Sequence, residues 1–266
     1  MPIPERMKPT FVSGRSAEPD RMVEARKRLI VALDVSSTVA AEEMVRQLEG
    51  ACQWFKVGLE LFAAAGPAVV EALAARGHSV FLDLKFHDIP NTVAGAVRSA
   101  ARLGVRMMTV HAAGGPAMLA AARKAVDGVA NPPQLLAVTV LTSMDAEQLK
   151  ATGVRRSPAE QVEFLARMGW EAGMRGFVCS AQEVTAVRAL TGAEGVLVVP
   201  GIRPAGPEAP IPSPSLSDDQ KRMATPADAL CAGANYLVVG RPITQAPEPA
   251  KAAEAILQEM AHAIAF

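Results

Sequence analysis

Eight short runs rich in β-branched and other apolar residues recur along this chain, with stretches of helical spacing between them. That alternation constrains the fold more than any other feature. The runs are Leu29–Asp34, Trp54–Val57, Ser79–Leu84, Val105–Val110, Gln134–Val140, Gly176–Val178, Val196–Val199 and Tyr236–Val239. Helical segments lie between them at 40–48, 67–76, 93–103, 117–126, 159–172 and 181–190, and a last helix at about 249–263 closes the chain. Strands separated by helical crossovers predict a parallel sheet. Eight such units in 266 residues fit a closed barrel, a fold that typically takes about 250 residues as one domain. An open doubly wound sheet is the competing arrangement, but no GxGxxG follows the first run and the helical spacers are evenly sized. The expected fold is therefore α/β, a single-domain (β/α)8 TIM barrel over residues 28–266. Residues 1–27, rich in charge and proline without a sustained period, form an N-terminal extension that is at most partly ordered.

Composition excludes several classes of partner. Lys+Arg and Asp+Glu both number 27, so no net charge draws the chain to nucleic acid or an anionic membrane. The first residues, MPIPERMKPTF, lack the apolar core of a secretory signal. No apolar run approaches the ~20 residues that span a bilayer. Three cysteines, Cys52, Cys179 and Cys231, lie far apart with no metal spacing, and all three are expected to be buried small apolar residues. An odd count suits a reducing compartment. Together these features point to the cytoplasm.

Barrel enzymes work at the C-terminal ends of their strands, and the polar residues collect there. Asp34 ends the first run, Lys56 lies near the end of the second, and Asp83 and Lys85 end the third. His111 follows the fourth, Thr142 and Ser143 the fifth, Arg203 the seventh, and Gly240 and Arg241 the eighth. In SVFLDLKFHDIPNTV, alternation places Phe81, Asp83 and Lys85 on one face, with the two charges ~7 Å apart along the strand. Charges on a core-facing stripe are expensive unless paired or used. A lysine held cationic between carboxylates is a proton donor with a fixed aim. An ion pair that only braces the barrel mouth is the plainer alternative, and Lys56 and Asp88 weaken it. Asn91 or Thr92 can cap the helix that follows.

The runs VVPGIRP (198–204) and YLVVGRPIT (236–244) suit phosphate, which barrels often bind after strands seven and eight. Gly240 allows close backbone approach, and Arg241 offers a bidentate fork. The stretch 204–218, PAGPEAPIPSPSLSD, cannot be regular helix or sheet. It is either a solvated connector or a lid. His111 has no Cys or second His at ligand spacing and reads as a hydrogen-bonded structural residue. Gly114–Gly115 reads as a turn.

With these segments in view, the chain resembles orotidine 5′-phosphate decarboxylases of the bacterial type over about residues 28–262. The matching segments are VALDV at 31–35, FKVGLELF at 55–62, FLDLKFHDIPNTV at 81–93, VTVLTS at 138–143, VPGIRP at 199–204, DDQKRMATP at 218–226 and YLVVGRPIT at 236–244. The resemblance implies conversion of orotidine 5′-phosphate to UMP and CO2 with no cofactor and no metal. It implies that Asp34 holds the ribose hydroxyls and that Lys56 bridges ribose and the charge network. Asp83 would stand beside the substrate carboxylate, and Lys85 would protonate the ring carbon. Thr142 would touch substrate near the pyrimidine, and Arg203, Gln220, Gly240 and Arg241 would bind the phosphate side. Asp88 and Thr92 would reach the partner's site in a homodimer. The chain departs from the pattern in its longer N-terminal extension, in an expanded Pro-rich stretch between Arg203 and Gln220, and in Val199 where a threonine is common. Two alternatives remain open: a magnesium-dependent sugar-phosphate decarboxylase or aldolase of a sister family, and a non-catalytic nucleotide-binding barrel.

Overall fold

A computed structural model describes residues 17–204 and 222–264. Its strands are β1 (Leu29–Ala32), β2 (Trp54–Gly58), β3 (Ser79–Phe86), β4 (Met107–His111), β5 (Gln134–Val138), β6 (Gly176–Val178), β7 (Val196–Val199) and β8 (Tyr236–Val239). They pair in parallel in chain order, and β8 closes back onto β1. The expected TIM barrel is the fold. Each strand lies within a residue or two of its expected place.

The helices are α1 (Ala17–Arg28), α2 (Thr38–Gln47), α3 (Leu59–Ala65), α4 (Pro67–Ala75), α5 (Pro90–Ala101), α6 (Gly115–Lys124), α7 (Ala146–Ala151), α8 (Pro158–Glu171), α9 (Val184–Thr191), α10 (Pro226–Cys231), α11 (Arg241–Thr244) and α12 (Pro249–Ala263). Short polar caps fix several of their starts. Ser37 accepts from the Ala40 amide at the head of α2. Asp145 with Gln148, and Ser157 with Glu160, form reciprocal capping boxes on α7 and α8. The first of these ends the loop that carries Thr142.

The strands' alternation divides the core in two. Ile30, Ala32, Phe81, Met107, Leu136, Val198 and Val238 fill the barrel interior. Leu29, Val31, Leu33, Phe55, Val57, Val80 and Leu82 face the helices in the larger outer core. Helix α8 can settle close on β6 because residue 169 is glycine. A Cβ there would come within 2.9 Å of the Phe177 ring.

Two expectations need correcting. Neither Asn91 nor Thr92 caps α5. Pro90, with its fixed φ and missing N–H, takes the first helical position, so the cap falls on Ile89, which makes no side-chain capping bond. Cys231 is exposed, since it ends a short surface helix, whereas Cys52 and Cys179 are buried. Residues 17–27 of the extension form all but the last residue of helix α1. Helix α1 packs on α12, with Ala25 fully buried and Met22 against the core. Most of the Pro-rich stretch and Gln220 fall at 205–221, outside the described residues.

Candidate active site

Four charged side chains alternate in sign across the first three strands at their C-terminal ends. Lys56 Nζ lies 2.8 Å from Asp34 Oδ1 and 3.8 Å from Asp83 Oδ2. Lys85 Nζ lies 2.9 Å from both oxygens of Asp83. Lys56 and Asp83 are largely covered, at 12% and 14% exposure, while Lys85 is more open at 31%. Burial without pairing would be prohibitive for these charges. Here each has an opposite neighbour within 4 Å, so none of the covered charges lacks a counter-charge.

Local backbone geometry places the third strand's pair. Phe81 sits in the inner core, and Asp83 and Lys85 rise above it into the cavity. The ladder between β3 and β4 is irregular: Leu82 pairs with Met108, but Phe86 pairs with Val110. Four steps along β3 thus match two along β4. Lys85 takes up the excess at φ 49°, the left-handed region that L side chains rarely enter. On the second strand, Gly58 leaves room for the network. A Cβ there would stand 3.0 Å from Lys56 Nζ and 3.4 Å from Asp34 Oδ1.

The charged chain lines a cavity of about 650 Å³ that also includes Thr142, Ser143, Arg203, Gly240 and Arg241. Of the sequence candidates, Asp34, Lys56, Asp83, Lys85, Thr142, Arg203, Gly240 and Arg241 therefore meet in one place. Asp88 and Thr92 do not. Both are exposed outside the cavity, and Asp88 Oδ1 accepts from the Ile89 amide at 2.6 Å. A second cavity, about 600 Å³, opens at the opposite end of the barrel near Trp54 and Tyr236. Its Arg123 is paired with Asp127 at 2.6 Å, and its Arg175 is stacked on Trp170. The end with converging unlike charges is the chemically equipped one.

Two groups of residues at this mouth escaped the sequence argument. Thr109, fully buried on β4, sits between Asp83 and the Lys85 backbone. Its signal was a lone hydroxyl inside the apolar run MMTV. The second group is a buried ion pair between Arg222 and Glu183. Arg222 also donates to the Leu141 carbonyl at 3.0 Å, and Glu183 accepts from the Ser180 amide at 3.0 Å. This bracket ties the loops after β5, β6 and β7 together. His111 accepts from the Ala113 amide through Nδ1 and stacks on His87 with ring centres 5.2 Å apart. Burial, reinforced by His87 and Lys85, pushes its pKa down to about 4. It is a neutral structural histidine over the ordinary pH range.

A parallel barrel whose C-terminal strand ends carry paired ammonium and carboxylate groups beside two arginines has the architecture of a TIM-barrel enzyme. Comparison with known proteins makes the assignment narrower. The sequence model of the orotidine 5′-phosphate decarboxylase / HUMPS family matches residues 27–256, and the chain belongs to that family. It is 51% identical over 236 residues to an orotidine 5′-phosphate decarboxylase of Saccharophagus degradans, covering 89% of this chain and 96% of the relative. It is also 51% identical over 244 residues to one from Moorella thermoacetica, covering 90% and 94%. Among solved structures, the Lactobacillus acidophilus orotidine 5′-phosphate decarboxylase superposes with a TM-score of 0.75 at 38% identity, over 88% of this chain and 98% of that one.

Proposed function

We propose that this chain decarboxylates orotidine 5′-phosphate to UMP, a carboxy-lyase step of pyrimidine biosynthesis that uses no cofactor. The observation that carries the reading is the Lys85 ammonium, 2.9 Å from both oxygens of Asp83 inside the cavity that also holds Arg203 and Arg241. The bond from the pyrimidine ring to its carboxylate breaks. CO2 departs, and the electron pair stays on a ring carbon that has no conjugated sink. A cation fixed beside that carbon stabilises the pair without having to reorganise. The same ammonium then transfers one proton to the carbon, forming the C–H bond of UMP, and the neutral amine recovers a proton from water. Asp83 keeps the ammonium aimed. Its charge next to the substrate carboxylate also disfavours the bound reactant, a secondary effect.

Asp34 and Lys56 hold the ribose, Thr142 contacts substrate near the pyrimidine, and Arg203, Gln220, Gly240 and Arg241 take the phosphate. Phosphate bound this far from the reacting carbon can contribute by ordering the site around it. We place the enzyme in the cytoplasm as a homodimer, with residues 28–266 as its catalytic domain and Asp88 and Thr92 reaching the partner's site. Exposure of Ile89 at 67%, next to Asp88, supports an interface there. Among the described residues, no helix is long and apolar enough to cross a membrane.

Purified protein is tested on orotidine 5′-phosphate with UMP as the readout, with and without EDTA. Turnover is expected, and it should be the same under both conditions. Absence of UMP would overturn the reading. Loss of activity with EDTA that magnesium restores would favour the sister family. Lys85→Ala is expected to lower kcat by about 10⁴-fold or more while the fold survives, because proton donor and charge stabiliser go together.

A further inference from the structure

We infer that Thr109 is a positioning residue for the Asp83–Lys85 pair, holding carboxylate and lysine in register through one shared hydroxyl. The inference rests on the decarboxylase reading above. Thr109 lies on β4 opposite the irregular part of β3, between the Leu82–Met108 and Phe86–Val110 pairings. The bulge removes the Lys85 amide from the regular ladder. That amide donates instead to Thr109 Oγ1 at 2.8 Å. The hydroxyl has a single proton, and Asp83 Oδ1 lies 3.0 Å away to accept it. An ionised carboxylate cannot donate, so both bonds have a fixed direction: Lys85 N–H to Thr109 Oγ1, then Thr109 O–H to Asp83 Oδ1.

The consequence is geometric. Asp83 is gripped at Oδ1 by the hydroxyl, while Oδ2 faces Lys56 at 3.8 Å. The carboxylate plane is thereby set so that both oxygens meet Lys85 Nζ at the same distance. The backbone bond simultaneously supports Lys85 at φ 49°. One hydroxyl thus fixes the two ends of the lysine: its main chain directly, and its ammonium through the carboxylate. Thr109 is fully buried and does not line the cavity, so it acts through its neighbours and does not touch substrate.

Thr109→Val keeps the shape and removes both bonds, and Thr109→Ser keeps the hydroxyl. For Thr109→Val, kcat is expected to fall about 10–100-fold, with KM within about threefold of the parent. Thr109→Ser should recover kcat to within about threefold. The inference is overturned if folded Thr109→Val keeps the parent kcat, if KM alone changes, or if Ser is as impaired as Val. A purely structural role would lower the melting temperature of Val and Ser variants without this split. Should Thr109→Val fail to fold, Thr109→Cys against Thr109→Ser gives the same comparison, since the thiol occupies the same branch as the hydroxyl, though it is somewhat larger, and donates only weakly. If the parent enzyme itself forms no UMP, it is the decarboxylase reading that fails. If the parent is active and Val equals it, Thr109 alone loses its role.

Discussion

Replacing Arg222 with Met removes the cation from an ion pair that is buried on both sides, with Arg222 at 7% and Glu183 at 5% exposure. The Glu183 carboxylate would keep its bond from the Ser180 amide but lose the counter-charge that Arg222 supplies. Breaking one side of a buried pair destabilises by about 3–5 kcal/mol, far more than the pair's net contribution, because an uncompensated charge is left behind. The Leu141 carbonyl, and more weakly that of Val140, also loses a donor. We expect a loss of about 4 kcal/mol, which lowers the melting temperature of a domain this size by roughly 10 °C. Function should suffer in KM more than in kcat, since Leu141 immediately precedes Thr142 and Arg222 follows the segment between Arg203 and Gln220. The double variant Arg222→Met/Glu183→Gln removes both charges and retains an acceptor for the Ser180 amide. It should recover most of the stability, to within about 1–2 kcal/mol of the parent. Thermal unfolding of the four proteins followed by circular dichroism completes the cycle. Additive losses, or a single-variant loss below about 1 kcal/mol, would refute the idea that this pair locks the three loops.

Arg241→Ala should raise KM about 10–100-fold and leave kcat within about threefold, as expected for losing a charge-assisted contact to phosphate; an unchanged KM would reject that contact. Native protein should react with a thiol reagent at Cys231 and at neither of the other two cysteines, because burial pushes Cys52 and Cys179 up to about 12. Three rapidly reacting thiols in folded protein would contradict this. Acid stability should carry the mark of His111. The folded state refuses a proton until about pH 4, whereas the unfolded chain accepts one near 6.5. The unfolded state therefore binds more protons across that window, so stability is lost as pH falls from 6.5 to 4 and is unaffected above it. His111→Asn, which preserves an acceptor for the Ala113 amide, should flatten that part of the stability–pH curve. An unaltered slope would point to another group.

The barrel was legible in the sequence because eight short strands, of three to eight residues, separated by helical crossovers leave few ways to bury both faces of a parallel sheet. Elements without a period were not legible. Helices α3, α7, α10 and α11 have four to seven residues, less than two turns, so no apolar stripe can develop. Helix α1 has mean composition too polar to read as a core element, yet Ala25 and Met22 suffice to dock it. The charged site was legible where each residue sits at its own strand end, as with Asp34, Lys56 and Arg241. Glu183 and Arg222 lie 39 residues apart and only the fold joins them. Neither carries a local signal of its partner.

Lys85 shows the limit most sharply. Strict alternation places Asp83 and Lys85 on the same face, and their side chains do share a cavity. The chain reaches that result by a different route, with two extra residues against β4 and a left-handed lysine. Nothing in the residue type announces φ 49°, since a lysine there costs about 1–3 kcal/mol and a glycine would not. A glycine, however, has no ammonium. The strain persists because the Thr109 hydroxyl and the Asp83 carboxylate over-determine the position from the backbone side and the side-chain side at once. A regular strand could present the same charges along its edge. The bulge instead lets the ammonium meet both oxygens of one carboxylate at 2.9 Å, the fixed aim on which the proposed proton transfer would depend.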